Sequence, residues 1–124
     1  KVGLCTINSQ KAANYILQRF QIAGFFDVVV PRNMVRYVKP NPEHFETALK
    51  MLDTLPEYTL IVGDSGVDMQ SAKELKTIAV GIPTGASTVE QLTNQGANYI
   101  ITSIADLPVL IEKINEGYEA KQQL

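Results

Sequence analysis

The chain of 124 residues has one cysteine, no large excess of charge of either sign and no long apolar run. Its single cysteine, Cys5, excludes an internal disulfide and lies in an apolar run, as expected of a buried thiol in a reducing compartment. The net charge of -2 lacks the basic excess typical of nucleic-acid-binding proteins. No apolar run approaches a membrane span, and the first residues do not follow the pattern of a signal peptide. We therefore expect a cytoplasmic protein whose partners are neither nucleic acid nor membrane.

The length and the hydrophobic content of 45% are typical of one globular domain. Short apolar runs alternate with helical patterns from end to end, without an internal repeat or a low-complexity segment. The predicted strands cover residues 2–6, 26–30, 58–62, 78–82 and 99–101. The predicted organisation is therefore a single domain built from short strands and helices.

The segments between the first three strands have the spacing and the boundary residues of helices. The first helix is predicted over residues 10–23, with Gly24 ending it. Its predicted core-facing residues are Ala13, Ile16, Leu17 and Phe20. The second helix begins at Asn41 and Pro42, a capping residue followed by proline at the first helical position. The residues that it is predicted to bury are Phe45, Ala48, Leu49 and Leu52.

Three further helices begin with a serine followed three residues later by an acid, which is typical of a capping box. The three pairs are Ser65 with Asp68, Ser87 with Glu90, and Ser103 with Asp106. Five strands that alternate with five helices predict a parallel sheet covered on both faces, the doubly wound α/β class. Ligands in such sheets bind beyond the carboxyl ends of the strands.

Two acids lie at such an end. Asp64 follows an apolar run through Gly63, and a carboxylate there is a ligand that Mg²⁺ prefers, although aspartate after glycine is also an ordinary turn. The capping box alone explains Asp68. Because the first turn of its helix faces the same crevice, Asp68 can also share a cation or a lysine with Asp64.

Two further residues at the strand ends carry weaker signals. Lys39 stands before Pro40, which restricts its backbone, but a lysine in a loop is usually a solvated charge with little packing to lose. Thr6 ends the first strand, where its hydroxyl and the next amide can donate to an anion. Threonine is also simply a good strand residue.

The order and spacing of these residues resemble those of a known family. Its second, third and fourth motifs are matched by the strand ending in Thr6, by Lys39-Pro40-Asn41-Pro42, and by Gly63-Asp64-Ser65-Gly66-Val67-Asp68. This set, which covers nearly the whole chain, resembles the haloacid dehalogenase-like phosphohydrolases. With residues 24–29 added, the resemblance is strongest to the phosphoglycolate phosphatases and their relatives.

The resemblance implies a Rossmann-like core and magnesium-dependent hydrolysis of a small, phosphoglycolate-like phosphate monoester through an aspartyl-phosphate. By resemblance, Thr6 would bind the phosphoryl group, and Lys39 would neutralise it and steady the nucleophile. Asp64 would bind Mg²⁺, and Asp68 would support that metal shell. The chain departs from the family at Ile7, where asparagine or serine is frequent.

The first motif of the family, Asp-x-Asp-x-Thr, does not occur in the chain. That motif carries the nucleophile on the central strand, between the strands that here end at Thr6 and Asp64. We therefore interpret residues 1–124 as a partial core domain whose central strand comes from a missing segment or a second chain. Only about 30 residues separate Thr6 from Lys39, so no substrate-selecting cap domain fits there either.

Three other classes of protein share some of these features. A phosphorelay receiver domain also has a doubly wound sheet and essential aspartate, threonine and lysine, but the order of these residues differs. A non-catalytic protein that keeps the fold for binding or assembly is the main alternative, and the missing nucleophile favours it. A dehalogenase is disfavoured because Asp64 suits a metal that those enzymes do not use. We expect a small phosphorylated metabolite as the ligand.

Overall fold

The computed structural model describes residues 1–123. The strands are β1 (Gly3–Cys5), β2 (Val28–Val30), β3 (Leu60–Gly63), β4 (Ile78–Gly81) and β5 (Tyr99–Ile100). The α-helices are α1 (Gln10–Arg19), α2 (Glu43–Leu52), α3 (Gly66–Leu75), α4 (Val89–Asn94) and α5 (Leu107–Gln123). Strands and helices alternate along the chain, which confirms the predicted α/β class. None of the helices described is both long and apolar enough to cross a membrane.

The strands form two parallel sheets, with a break between β1 and β3 at the place expected for the missing central strand. β1 pairs with β2, with Leu4 opposite Val29, and β3, β4 and β5 pair in that order. Within residues 1–123 no backbone ladder joins β1 to β3. These two strands are therefore the inner edges of the two sheets, and each leaves backbone groups unpaired along one side.

A cavity of about 800 Å³ lies between these inner edges and is called the inter-sheet slot below. Its sides are residues 2–5 of β1 and its flank, and residues 60–63 of β3. Apolar residues of α2 and α5 also line it, among them Phe45, Leu49, Leu107 and Ile111. The inter-sheet slot is thus a largely apolar space bordered by the unpaired edges of β1 and β3.

The three-stranded sheet is buried on both faces. Ile61 and Ala79 pack on one face against Met69 and Ala72 of α3, together with Leu92 and the partly buried Phe45. On the other face the partly buried Leu107 and Leu110 of α5 pack against Val80, Ile82 and Ile101. Burial on both faces explains the continuous apolar runs of β3 and β4.

The first helix ends earlier than predicted. α1 stops at Arg19 because Gln21 adopts a left-handed conformation, with a φ of 54°. The Ile22 amide then bonds to the Leu17 carbonyl at 3.0 Å, which is the closure of a Schellman motif. Gly24 lies in a separate 3₁₀ turn, Ala23–Phe25. Two residues predicted for the core, Ile16 and Phe20, are 39% and 67% exposed, whereas Ala13 and Leu17 are buried as predicted.

The predicted helix starts are shifted or differently bonded. Pro42 is the N-cap of α2 rather than its first residue, and Asn41 Oδ1 accepts from the Glu43 amide at 2.9 Å. The capping box of α4 is made by Thr88 and Gln91, not by Ser87 and Glu90. Ser103 accepts from the Ala105 amide across a 3₁₀ turn, Ile104–Asp106, so α5 begins only after that turn.

The core face of α2 contains a residue that the apolar spacing does not indicate. Ala48 and Leu49 are buried as predicted, whereas Phe45 and Leu52 are only partly buried. His44, in the first turn of the helix, is completely buried. The helix therefore seats a polar ring directly against the ends of β1 and β2.

Candidate active site

The four predicted site residues lie at the carboxyl ends of β1 and β3 and in the adjoining loops. Thr6 follows β1, and Asp64 follows β3. Lys39 lies in the loop before α2, and Asp68 lies in the first turn of α3. Lys39, Asp64 and Asp68 also line the inter-sheet slot. The fold thus gathers three chain segments around one end of that slot.

Lys39 and Asp68 form an ion pair at this end. Lys39 Nζ lies 2.9 Å from Asp68 Oδ1, and the two side chains are only 15% and 7% exposed. The contact is an ion pair rather than a well-directed hydrogen bond, because its angle is unfavourable. Lys39 Nζ also donates to the Cys5 carbonyl at 3.4 Å and lies 5.2 Å from the centroid of the Phe45 ring. The expectation that Lys39 has little packing to lose is therefore wrong.

Asp68 is fixed by two further features. Ser65 Oγ donates to Asp68 Oδ2 at 3.0 Å, so the serine bonds to the acid itself rather than to the helix backbone as in the predicted capping box. A Cβ at position 63 would overlap the Asp68 carboxyl group, so Gly63 is needed for the close approach of α3 to β3. The sequence had suggested only a turn for this glycine.

Asp64 differs from Asp68 in its surroundings. It is exposed, and among the side chains that the structure describes, up to residue 118, its carboxylate has neither a hydrogen-bond nor an ion-pair partner. Asp68, in contrast, contacts Lys39 and Ser65 through both of its oxygens. The described residues contain no group of three or more histidine, cysteine, aspartate or glutamate side chains able to hold a metal ion. A hard cation at this edge fits Asp64, but it needs oxygen ligands from elsewhere as well.

Thr6 is held through its backbone and its hydroxyl. The Thr6 amide donates to the Val30 carbonyl at 3.2 Å, and Thr6 Oγ1 accepts from the Asn8 amide at 3.1 Å. Accepting this bond leaves the hydroxyl proton free to donate. The Thr6 hydroxyl therefore keeps a proton to donate, and its role toward an anion stays a prediction.

Sequence reasoning missed Ser71, which supports the Lys39 loop. Ser71 Oγ donates to the Pro40 carbonyl at 2.9 Å, and the side chain is fully buried. Ser71 follows Asp68 by three residues, which places both on one face of α3. This spacing was a signal in the sequence. The helix therefore holds the loop at two neighbouring points, Lys39 and Pro40.

Burial also changes two ionisable groups near this site. It raises the pKa of the Cys5 thiol to about 12, and the positive charge of Lys39 opposes the change only in part. It lowers the pKa of His44, although the bond to the Val30 carbonyl acts in the opposite direction. Both groups are consequently neutral around pH 7, and Cys5 is not a nucleophile in this setting.

The parallel α/β fold, with lysine and aspartate residues at the carboxyl ends of its strands, defines a class of proteins. Comparison with known proteins identifies that class. The chain belongs to the haloacid dehalogenase-like hydrolase family, whose sequence model matches residues 1–82. This membership agrees with the resemblance carried by Thr6, Lys39 and Asp64.

Individual relatives agree with this assignment. The chain is 31% identical over 115 residues to the pyrophosphatase PpaX of Bacillus mycoides, covering 93% of this chain and 54% of that protein. A candidate β-phosphoglucomutase from Thermotoga maritima superposes with a TM-score of 0.82 at 28% identity, over 90% of this chain and 52% of that one. A haloacid dehalogenase-like phosphatase from Thermococcus onnurineus superposes with a TM-score of 0.75 at 27% identity, over 90% of this chain and 50% of that one. The chain spans about half the length of the relatives that it matches.

Proposed function

We propose that the intact protein is a magnesium-dependent phosphatase for small phosphate monoesters, and that the chain supplies part of its site, namely Thr6, Lys39, Asp64 and Asp68, while the nucleophile lies outside it. The observation that carries this proposal is the inter-sheet slot, which opens where Lys39 and Asp64 stand. A phosphatase reaction is consistent with the hydrolase family and with relatives named as phosphatases and a pyrophosphatase. The reducing cytoplasm is the expected compartment.

We propose that a parallel strand from another segment of the same polypeptide fills the inter-sheet slot. Such a strand would pair with the free edges of β1 and β3 on its two sides. Apolar residues of α2 and α5 line the space, so an inserted strand would be apolar on both faces. A second chain that supplies the strand is the alternative source. In either case the carboxyl end of the strand would meet Lys39 and Asp64.

The chemistry follows from an aspartate at that end. Its carboxylate oxygen would attack phosphorus, the bond from phosphorus to the ester oxygen would break, and the departing alcohol would take a proton from a neighbouring acid. Water would then cleave the aspartyl-phosphate and release inorganic phosphate, which regenerates the carboxylate. Lys39 would neutralise phosphoryl charge, and the Thr6 hydroxyl would donate to a phosphoryl oxygen.

The two acids would have different tasks. Asp64 is the open carboxylate and would bind Mg²⁺, which when bound supplies positive charge to the phosphoryl oxygens. Asp68 is engaged by Lys39 and Ser65, so it would support the metal shell mainly by fixing the ammonium group. Residues outside this chain would select the substrate, for example one with a second anionic group such as phosphoglycolate or pyrophosphate.

A test uses the intact protein, Mg²⁺ and EDTA, with phosphoglycolate and pyrophosphate as substrates. Asp64→Asn replaces an anionic oxygen by a neutral amide, so we expect the magnesium concentration for half-maximal turnover to rise while the fold is kept. Glu90→Gln on α4 removes the same charge away from the slot and serves as the control. If Asp64→Asn leaves the magnesium concentration for half-maximal turnover unchanged, Asp64 is not a ligand of the metal.

A second candidate function, non-catalytic binding or assembly, is favoured by one observation. The described residues include no metal-binding group of three or more side chains, and among them only Asp64 offers an open carboxylate at this edge. Turnover separates the two functions. A binding protein would take up phosphate compounds without hydrolysing them, whatever the magnesium concentration.

A further inference from the structure

His44 is a completely buried ionisable residue that the proposed chemistry does not use. It lies in the first turn of α2, five residues after Lys39. Its Nε2 is 2.9 Å from the Val30 carbonyl, at the end of β2. The ring is therefore placed between the loop that carries Lys39 and the strand ends.

The Val30 carbonyl accepts two bonds. Besides Nε2 of His44, the Thr6 amide donates to it at 3.2 Å. A carbonyl oxygen has two lone pairs, so both bonds form together. The position of the Thr6 backbone and the position of the His44 ring are thereby tied to one atom.

The other end of the network leads to Lys39. The Cys5 thiol donates to the His44 carbonyl at 3.7 Å, and the Cys5 carbonyl accepts from Lys39 Nζ at 3.4 Å. A continuous series of contacts thus runs from Lys39 through Cys5, His44 and Val30 to Thr6. The two ends of this series are the residues proposed to contact the phosphoryl group.

The protonation state of His44 follows from its partners. The Val30 carbonyl can only accept, so Nε2 carries the proton. Burial lowers the pKa of the ring, which is therefore neutral, and Nδ1 is buried without a partner in the described residues. An apolar side chain would fill the same space without an unsatisfied nitrogen. The bond to Val30 is therefore what the imidazole adds to packing.

We propose that His44 is a positioning residue, which holds Thr6 and the Lys39 loop at a fixed separation through the shared Val30 carbonyl. The inference rests on the proposed function only for the catalytic roles of Thr6 and Lys39. The position of the Thr6 amide, which His44 is proposed to fix, can be measured whether or not the protein turns over a substrate.

Three variants of the intact protein test the proposal. His44→Leu fills the space but removes the donor. His44→Gln places an amide nitrogen where Nε2 stands, whereas the shorter His44→Asn reaches only the position of Nδ1. Leu92→Ala, which truncates a fully buried core side chain of α4, is the control for a general loss of stability. The measurements are the proton and nitrogen chemical shifts of the Thr6 amide, together with kcat and KM.

We expect His44→Leu and His44→Asn to shift the Thr6 amide and to lower kcat about tenfold to a hundredfold with little change in KM. His44→Gln should restore most of the wild-type Thr6 amide shift and most of kcat. Leu92→Ala should leave the Thr6 amide shift unchanged. An unmoved Thr6 amide in His44→Leu, or in His44→Asn if the leucine variant does not fold, would overturn the proposal. Equal losses in the glutamine and asparagine variants would do the same. A wild-type protein without turnover would refute the proposed function, while the amide shifts would still decide the positioning role.

Discussion

The two-stranded half of the molecule, formed by β1, β2, α1 and α2, differs from the three-stranded half formed by β3 to β5 and α3 to α5. The three-stranded half contains an apolar cluster on each face of its sheet. Among the described residues both clusters of buried apolar side chains are centred on that sheet, whereas the two-stranded half contributes only the partly buried Phe45 to them and leaves Phe20 and Phe25 67% and 73% exposed. One half therefore has a core of its own, and the other depends more on what packs against it.

Three contacts that join the halves lie at or beside the candidate site. Lys39 pairs with Asp68, Ser71 bonds to the Pro40 carbonyl, and Phe45 packs against the cluster around Met69. The inter-sheet slot separates the rest of the two inner edges. The loop that would present Lys39 to a substrate thus also contacts the three-stranded half. A substitution in this loop should therefore change both the stability of the protein and its catalytic rate.

Lys39→Ala, which removes the ion pair between Lys39 and Asp68, should have the largest effect. Loss of an electrostatic donor should raise the reaction barrier by about 3 kcal/mol, a hundredfold or more in rate. Removing one partner of a buried ion pair should also destabilise the intact protein by about 3 kcal/mol, because Asp68 is left unpaired. Lys39→Arg keeps the charge on a larger planar group and should rescue turnover only partly.

Denaturant titration and steady-state kinetics on the same samples separate these two effects. Lys39→Met combined with Asp68→Asn removes both charges, so it should recover stability without recovering turnover. Lys113→Ala, on an exposed position of α5, is the control for loss of one positive charge. Near-normal turnover by Lys39→Ala at saturating magnesium and substrate would show that the role assigned to this loop is wrong.

A smaller effect is expected from Gly63→Ala, which disturbs the three-stranded half beside the same contact. The added methyl group would overlap the Asp68 carboxyl, so we expect a loss of about 1–3 kcal/mol in the free energy of unfolding. Gly24→Ala is the matched control, because no atom lies within 4 Å of its added carbon. Urea titrations of both variants provide the measurement. Equal stability of the two variants would mean that Asp68 is not tightly held against β3.

The smallest effect concerns pH and tests the two-stranded half. His44 stays neutral in the folded protein because burial lowers its pKa, while the unfolded chain takes up a proton below its ordinary pKa of 6.5. The unfolded state then binds more protons, so the free energy of unfolding should decrease as the pH falls through that value. His44→Gln should reduce this decrease. Identical pH dependences of wild type and variant, in urea titrations between about pH 7 and pH 5, would contradict the assignment of His44 as a buried neutral ring.

The sequence predicted the features that local patterns control. Apolar runs such as residues 60–62 specify strands buried on both faces, and the order of Thr6, Lys39 and Asp64 indicates one site at their ends. The early end of α1 was not predictable in the same way, because Gln21 takes the left-handed conformation that usually marks glycine. The burial of His44 likewise depends on a carbonyl 14 residues away, which helical spacing does not reveal.

The proposed reaction requires a strand in the inter-sheet slot whose end carries the nucleophile. The most direct test compares turnover of a small phosphate monoester by the purified 124-residue chain and by the intact protein, at equal concentration and saturating Mg²⁺. We expect magnesium-dependent hydrolysis by the intact protein and none above the uncatalysed rate by the chain alone. Hydrolysis by the chain alone at a rate comparable with that of the intact protein would contradict this expectation.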